Sequence, residues 1–270
     1  IGACGTVDRE YVYDDAGRLA EVYVDSELVE YYQYKDNGNR DVFMNSASTE
    51  EQAASYDSNR PDRLTSSGVP GEEWTYNWNA NGQLEGRERD ASNYDTFDYD
   101  VFGLLQGATV TRDGVDTEIT YTHDGLGRRV ARYVDDGSGS AFDRGFVYGD
   151  LLNPIAEVDA AGNVTRLYLY GSKPHVPDEM IDVSVSPHVT YRIISDTRGS
   201  VRMVVDAASG TIMQRMDYDA FGRVTYADVV GGFQRIPFGF AGGLYDEYTG
   251  LVRFGARDYD AETGRWTAID

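Results

Sequence analysis

A short motif returns through the first half of the chain at an almost constant spacing. It reads Tyr13-Asp14-Asp15-Ala16-Gly17-Arg18-Leu19, and it recurs with drift at Tyr34-Lys35-Asp36-Asn37-Gly38, Tyr56-Asp57, Trp78-Asn79-Ala80-Asn81-Gly82, Tyr99-Asp100-Val101-Phe102-Gly103 and His123-Asp124-Gly125-Leu126-Gly127. The starts fall 21, 22, 22, 21 and 24 residues apart. A fixed period of this size marks a repeat architecture, in which each unit buries its apolar face only against its neighbours. At ~3.3 Å per strand residue, such a unit holds two strands of about 7 to 8 residues and two turns. Glu21-Val22-Tyr23-Val24-Asp25 and Glu118-Ile119-Thr120-Tyr121-Thr122 alternate polar and apolar residues, the period-two signature of a half-buried strand. The glycine supplies the positive φ that ends the reversal, the Asp or Asn bonds its own backbone two residues on, and the aromatic packs against those of adjoining units. The predicted fold is therefore all-β, a stack of hairpins joined into one continuous sheet.

Composition agrees and narrows function. Thirty glycines and 21 tyrosines stand against seven prolines in 270 residues, as expected of many short strands and turns. The net charge of −22 makes a surface that repels phosphate backbones, so nucleic acid is excluded as a partner. The same charge discourages edge-to-edge association of sheets. One cysteine, Cys4, permits no internal disulfide and leaves the compartment open. No stretch approaches the ~20 apolar residues of a membrane span, and residues 1–10 do not read as a signal peptide. Ile1 is not a natural start, so the chain is expected to be a fragment of a longer one.

Three spans follow: regular repeats over 1–130, less regular strands with loops over 131–236, and a distinct closing stretch over 237–270. Within the first, NSASTEEQAAS (45–55) breaks the pattern with capping-box spacing between Ser48 and Glu51, which predicts one short helix. Residues 135–140 and 173–179 are expected to be mobile surface loops. Asp135, Asp136 and Asp143 lack the spacing of a calcium loop, and one cysteine with three scattered histidines gives no zinc site. His123 stands where the other units carry an aromatic, and no nucleophile-elbow sequence accompanies any histidine. Nothing in the residues calls for a cofactor or a metal.

The closing stretch carries two tyrosine–aspartate turns side by side, Tyr245-Asp246-Glu247-Tyr248-Thr249-Gly250-Leu251 and Tyr259-Asp260-Ala261-Glu262-Thr263-Gly264-Arg265-Trp266, and so predicts a pair of hairpins. With Thr263-Gly264-Arg265 as the second loop, Asp258 lies opposite Asp270, with Arg257 adjacent in sequence. Carboxylates about 5 Å apart relieve their repulsion by sharing one proton, which leaves one neutral and one ionised. That is equipment for peptide hydrolysis through an activated water. Two exposed turn aspartates fit the same spacing, and a one-residue change in loop length breaks the pairing.

The closing stretch resembles the conserved core of Rhs/YD-repeat proteins, a family that includes the C components of bacterial Tc toxins and the toxin-carrying Rhs proteins. The resemblance rests on Gly243, Tyr245, Asp246, Thr249, Gly250, Leu251, Arg257, Tyr259, Asp260, Thr263, Gly264, Arg265, Trp266 and Asp270. The segment Asp196–Asp206 and a full repeat copy at Met216–Arg223 extend it over nearly the whole chain. It implies a large spiralling hollow β-shell of YD repeats closed by an Rhs-associated core over 237–270. It further implies an aspartyl autoprotease acting once in cis, formed by residues matching Arg257, Asp258 and Asp270. The family continues past the last Asp with a proline and a glycine-rich run, so the bond to be cut would lie beyond Asp270. The implied partners are the chain's own C-terminal toxin domain as enclosed cargo, upstream repeats or a partner protein completing the shell, and a delivery apparatus. The implied location is secreted or on a bacterial cell surface. The competing expectation is a non-catalytic adhesion module of teneurin-like or wall-associated type, and a third is a scaffold that has lost its cargo.

Overall fold

The computed structural model describes residues 8–45 and 48–269. They form antiparallel strands joined by turns, with a 3-10 turn at Phe240–Gly242 and no α-helix among the described residues. The chain divides into two compact units, Ile1–Asn77 and Trp78–Asp270. The first carries β1 (Arg9–Tyr13), β2 (Leu19–Val24), β3 (Glu27–Tyr34), β4 (Arg40–Asn45), β5 (Ser48–Tyr56), β6 (Leu64–Gly68) and β7 (Trp74–Trp78). Each pairs with the next.

The second unit continues in the same manner. Its long sheet begins with β8 (Leu84–Asp90), β9 (Asn93–Tyr99), β10 (Leu105–Arg112), β11 (Val115–His123), β12 (Arg129–Asp135), β13 (Ala141–Tyr148) and β14 (Pro154–Val158). It ends with β15 (Val164–Leu169), β16 (Glu179–Asp182), β17 (Val189–Ser195), β18 (Val201–Asp206), β19 (Ile212–Tyr218) and β20 (Val224–Val229). Every strand again pairs antiparallel with its sequence neighbour. A separate four-stranded sheet closes the unit: β21 (Leu244–Tyr245), β22 (Leu251–Phe254), β23 (Arg257–Asp260) and β24 (Arg265–Trp266).

The repeat motif builds one turn over and over. At Asp100 the carboxylate accepts the amides of Phe102 and Leu104 at 2.9 and 2.8 Å, while the Gly103 amide donates to the Asp100 carbonyl at 3.0 Å with φ at +81°. Asp14, Asn79, Asp124, Asp196 and Asp219 accept amides two and four residues on in the same way. The sheet register slips at the preceding residue, as between Thr122 and His123 or Val147 and Tyr148, so each turn is entered through a bulge.

The tyrosine of the motif does more than pack. Its hydroxyl reaches back one repeat and donates to a strand carbonyl: Tyr34 to Leu19 at 2.7 Å, Tyr148 to Arg129 at 2.9 Å, Tyr170 to Pro154 at 2.8 Å and Tyr218 to Val201 at 2.9 Å. The arginine that follows the glycine reaches forward, Arg18 to the Lys35 carbonyl and Arg128 to the Asp150 carbonyl. Neighbouring repeats are thus stitched in both directions at several of the turns.

Most strands of the long sheet contribute at least one buried apolar residue. In the first unit these are Val22, Tyr32, Phe43, Ala54, Leu64 and Tyr76. In the second they include Leu84, Phe97, Val110, Ile119, Ala131 and Phe146. Further along, Tyr168, Met180, Ile193 and Val204 meet Ile236 and Phe238, which carry the chain from the long sheet into the closing one.

Two expectations fail. The short helix predicted over 45–55 is instead the last residue of β4, Asn45, and β5 from Ser48 onward, with residues 46–47 outside the described residues. Ala54 is buried and Gln52 and Tyr56 are half-buried while Glu51, Ala53 and Ser55 are exposed, a period of two; pairing to β4 and β6 on both sides overrides local helix preference. The 173–179 segment is likewise docked rather than a free surface loop, with Val176 1% exposed in the apolar cluster.

Candidate functional site

The closing sheet is built from the same turn chemistry. Asp246 accepts the Tyr248 and Thr249 amides and ends its reversal at Gly250; Asp260 accepts the Glu262 amide and ends at Gly264. This second turn sets the position of Asp258. Asp260 pairs with Arg265 and Tyr259 with Trp266, so the connection is the four residues 261–264. The register that would put Asp258 opposite Asp270 is therefore corrected: the residue facing Asp258 is Thr267, whose amide and hydroxyl both donate to the Asp258 carbonyl, at 2.9 and 3.0 Å. Asp270 lies outside the described residues.

Neighbouring side chains on β23 point to opposite faces, and the structure separates Arg257 from Asp258 accordingly. Arg257 lies over the Trp266 ring, 4.3 Å from its centre. Asp258 faces the long sheet and is 2% exposed. One of its oxygens accepts from Arg129 of β12 at 3.0 Å and the other from Arg253 of β22 at 2.9 Å.

The two turn aspartates are buried as well, at 2% and 3% exposure. Asp246 accepts from the Tyr121 hydroxyl at 2.7 Å and pairs with Arg132 at 3.1 Å; Asp260 lies 3.4 Å from Arg87, which also pairs with Asp95. Three carboxylates of the closing sheet thus each meet an arginine of β8 or β12. Unpaired, any of them would be prohibitively costly to bury, so the closing sheet is held to the long sheet by charge as well as by apolar contact.

The electrostatics follow from this crowding. Burial works to raise the Asp246 carboxyl, but Arg132 and the Tyr121 hydroxyl outweigh it and hold the group below the usual carboxylate range. Burial and Asp246 push the Tyr121 phenol well up. Burial opposes the charge on Arg129, and Asp258 more than offsets it. For Arg253, burial with the help of Arg129 prevails over Asp258, and its proton is held less tightly than usual.

His123 sits beside this cluster, half-buried, with no hydrogen-bond partner at its buried Nε2. Burial, then Arg253 and Arg129, press its pKa down to about 4, so it is neutral at neutral pH. The arginines were not singled out from the sequence. A signal for them existed: in Gly127-Arg128-Arg129 the second arginine stands where Leu19, Leu84, Leu105 and Val201 stand in other repeats.

Comparison with known proteins agrees with this architecture. The family model described as Teneurin YD-shell matches residues 6–270. Teneurin-3 of Mus musculus is 32% identical over 269 residues, 98% of this chain and 9% of that protein. Teneurin-1 of Homo sapiens is 34% identical over 272 residues, 99% of this chain and 9% of that protein. The tRNA nuclease WapA of Bacillus subtilis (strain 168) is 27% identical over 253 residues, 93% of this chain and 10% of that protein. Among solved structures, the crystal structure of TcdB2-TccC3 has a TM-score of 0.49 and 16% identity, over 98% of this chain and 17% of that one. The chain spans about a tenth of the length of the curated relatives it matches. With a buried arginine row receiving the acids of its last two hairpins, the chain belongs to the teneurin YD-shell family.

Proposed function

We propose that this chain is the closing part of an Rhs-type shell that encloses its own C-terminal toxin domain and frees it by one cut in cis, just downstream of Asp270. The observation that carries the reading is the seat of Asp258, whose two oxygens accept from two guanidinium groups at 3.0 and 2.9 Å, a setting that suits the charged member of an acid pair. A carboxylate has about four lone-pair sites, so two arginine contacts leave others to accept a hydrogen bond from water. Asp270 is then the neutral member. Asp258 draws a proton from water, the oxygen of that water adds to a carbonyl carbon beyond Asp270, and Asp270 donates to the carbonyl oxygen. The C–N bond breaks as the leaving amine takes the proton from Asp258, while one hydroxyl of the tetrahedral intermediate returns its proton to Asp270 as the carbonyl reforms. Arg257, on the other face, orients the backbone of the segment to be cut. In this reading the protein works outside a bacterial cell or on its surface, with upstream repeats or a partner protein completing the shell and an apparatus delivering it.

The test uses a longer natural chain that continues past Asp270. Asp258→Asn and Asp270→Asn are each expected to abolish cleavage, read as one band in place of two; continued cutting in either variant removes the protease. A second reading, a non-catalytic adhesion module, draws on the teneurin relatives and on the fact that clamping Asp258 is a sufficient structural task. Absence of any cut in the wild-type longer chain, with the fold retained, selects it.

A further inference from the structure

We infer that the stretch of natural chain following Asp270 lies as an extended apolar strap across three turns at one edge of the long sheet. The turns that join β9 to β10, β11 to β12 and β13 to β14 carry Val101 and Phe102, Leu126, and Leu151 and Leu152, which are 93%, 85%, 65%, 62% and 61% exposed. The same places hold Asp15-Ala16, Asp36-Asn37, Ala80-Asn81 and Thr197-Arg198 in other repeats. Asp100, Asp124 and Asp150 turn their carboxylates onto backbone amides of their own turns, so the tips present apolar groups. Consecutive strands place these turns side by side, about 9.5 Å apart at two strand spacings each. The Arg128 guanidinium donates to the Asp150 carbonyl at 2.8 Å, and a methyl on Gly127 would lie 3.5 Å from Leu104. A contiguous row of exposed apolar side chains on a chain of net charge −22 marks an interaction site.

The course of the last described residues points to the occupant. The Thr267 carbonyl accepts the Leu84 amide at 2.7 Å, which brings the residues after β24 to the start of β8, at the same edge. Gln83, beside Leu84, meets the first apolar turn: a methyl on Gly103 would lie 3.3 Å from its side-chain amide. Ile269 is 64% exposed. Being two residues on, it lies within about 7 Å of Thr267. From there an extended segment at ~3.3 Å per residue passes Val101 and Phe102 within about three residues and reaches Leu152 within about ten. The turn spacing asks for an apolar residue at about every third position. At the far end, Leu151 and Leu152 line a cavity of about 390 Å³ with Leu244 and Phe254, which admits a terminal apolar side chain. Phe221, at the same place in a later turn, is half-buried beside the closing sheet, its carbonyl accepting the Tyr259 hydroxyl at 2.8 Å. The net charge of −22 disfavours a second copy on the row. The inference shares with the proposed function only the premise that the natural chain continues past Asp270, and it does not depend on whether that chain is cut.

Hydroxyl-radical footprinting tests it, comparing the chain that ends at Asp270 with the longer natural chain carrying Asp270→Asn. The mass of the longer chain shows separately whether it stays whole, which bears on cleavage alone. Oxidation of Phe102, Leu126 and Leu152 is expected to slow at least about fivefold in the longer chain, as side chains in contact leave the solvent. Tyr226 of β20 is 46% exposed and serves as the control, expected to change less than about twofold. Photo-leucine in place of leucine then identifies what covers the row. Cross-links from Leu126, Leu151 or Leu152 are expected to the first ~15 residues after Asp270, the reach of an extended segment. Equal oxidation in the two chains, protection already present in the shorter chain that grows with protein concentration, or cross-links only to a second copy or to more distant parts of the chain would each overturn the inference.

Discussion

Leu105 and Arg129 occupy the same place in successive repeats, six residues after the motif's first residue, and both are buried, at 1% and 4% exposure. Leu105 belongs to the apolar row of the long sheet. Arg129 faces a carboxylate of the closing sheet and lies with its guanidinium 3.6 Å from the Tyr121 ring centre. The residue that opens each motif differs in step, Tyr99 in one repeat and His123 in the next. Arg40 shares the position in the first unit, where it stacks over Phe43 at 4.6 Å, but its repeat keeps the aromatic Tyr34. A repeat protein can therefore keep its backbone turn constant and change what a strand offers its inner face. Opposite the closing sheet that face carries the paired arginines Arg87, Arg129 and Arg132, whereas Leu105 and Val110 keep it apolar on the strand between them.

The contrast can be broken most severely by making the two repeats alike. Arg129→Leu installs the residue of the other repeats and strips one guanidinium from a buried carboxylate, so a loss of ~3–5 kcal/mol is expected in urea unfolding followed by fluorescence. A result near zero would mean that the apolar and charged versions of the repeat are interchangeable.

The pH dependence sharpens the comparison at the motif's first position. The unfolded chain protonates His123 near 6.5, whereas the folded state resists until about 4. Between those values the unfolded state binds more protons, so this stabilisation is complete above about 6.5 and is lost as pH falls toward 4. With half the ring exposed, solvent screening limits the effect to ~1–2 kcal/mol. His123→Gln should flatten that window of the stability profile, leaving the steeper losses below it that come from carboxylates such as Asp246.

The smallest effect tests the stitching that both kinds of repeat share. Tyr148→Phe removes one hydroxyl that donates to the Arg129 carbonyl and should lower stability by ~0.5–1.5 kcal/mol in the same unfolding assay. No change would return the tyrosine to a packing role alone.

The all-β wall was legible in the sequence because the period and the turn chemistry are local: an aspartate, a glycine three residues on and alternating strands suffice. The failure at 45–55 was local too, since capping-box spacing competed with strand pairing that no single segment reveals. The site was half legible. Asp258 was singled out from the hairpin register and by resemblance, but its arginine neighbours were not, because Arg129 is 129 residues away in sequence and only the docking of two sheets brings them together. The cross-strand register was misjudged because Asp260 builds the longer 261–264 turn seen also at Asp246.

The most direct measurement is a double-mutant cycle between Arg129→Leu and Asp258→Asn, read by equilibrium unfolding. Coupling of at least ~1.5 kcal/mol is predicted, because the two groups form a desolvated ion pair across the interface between the sheets. Additivity within ~0.5 kcal/mol would show that the closing sheet does not dock through this pair, and would contradict the charged seat on which the account of Asp258 rests.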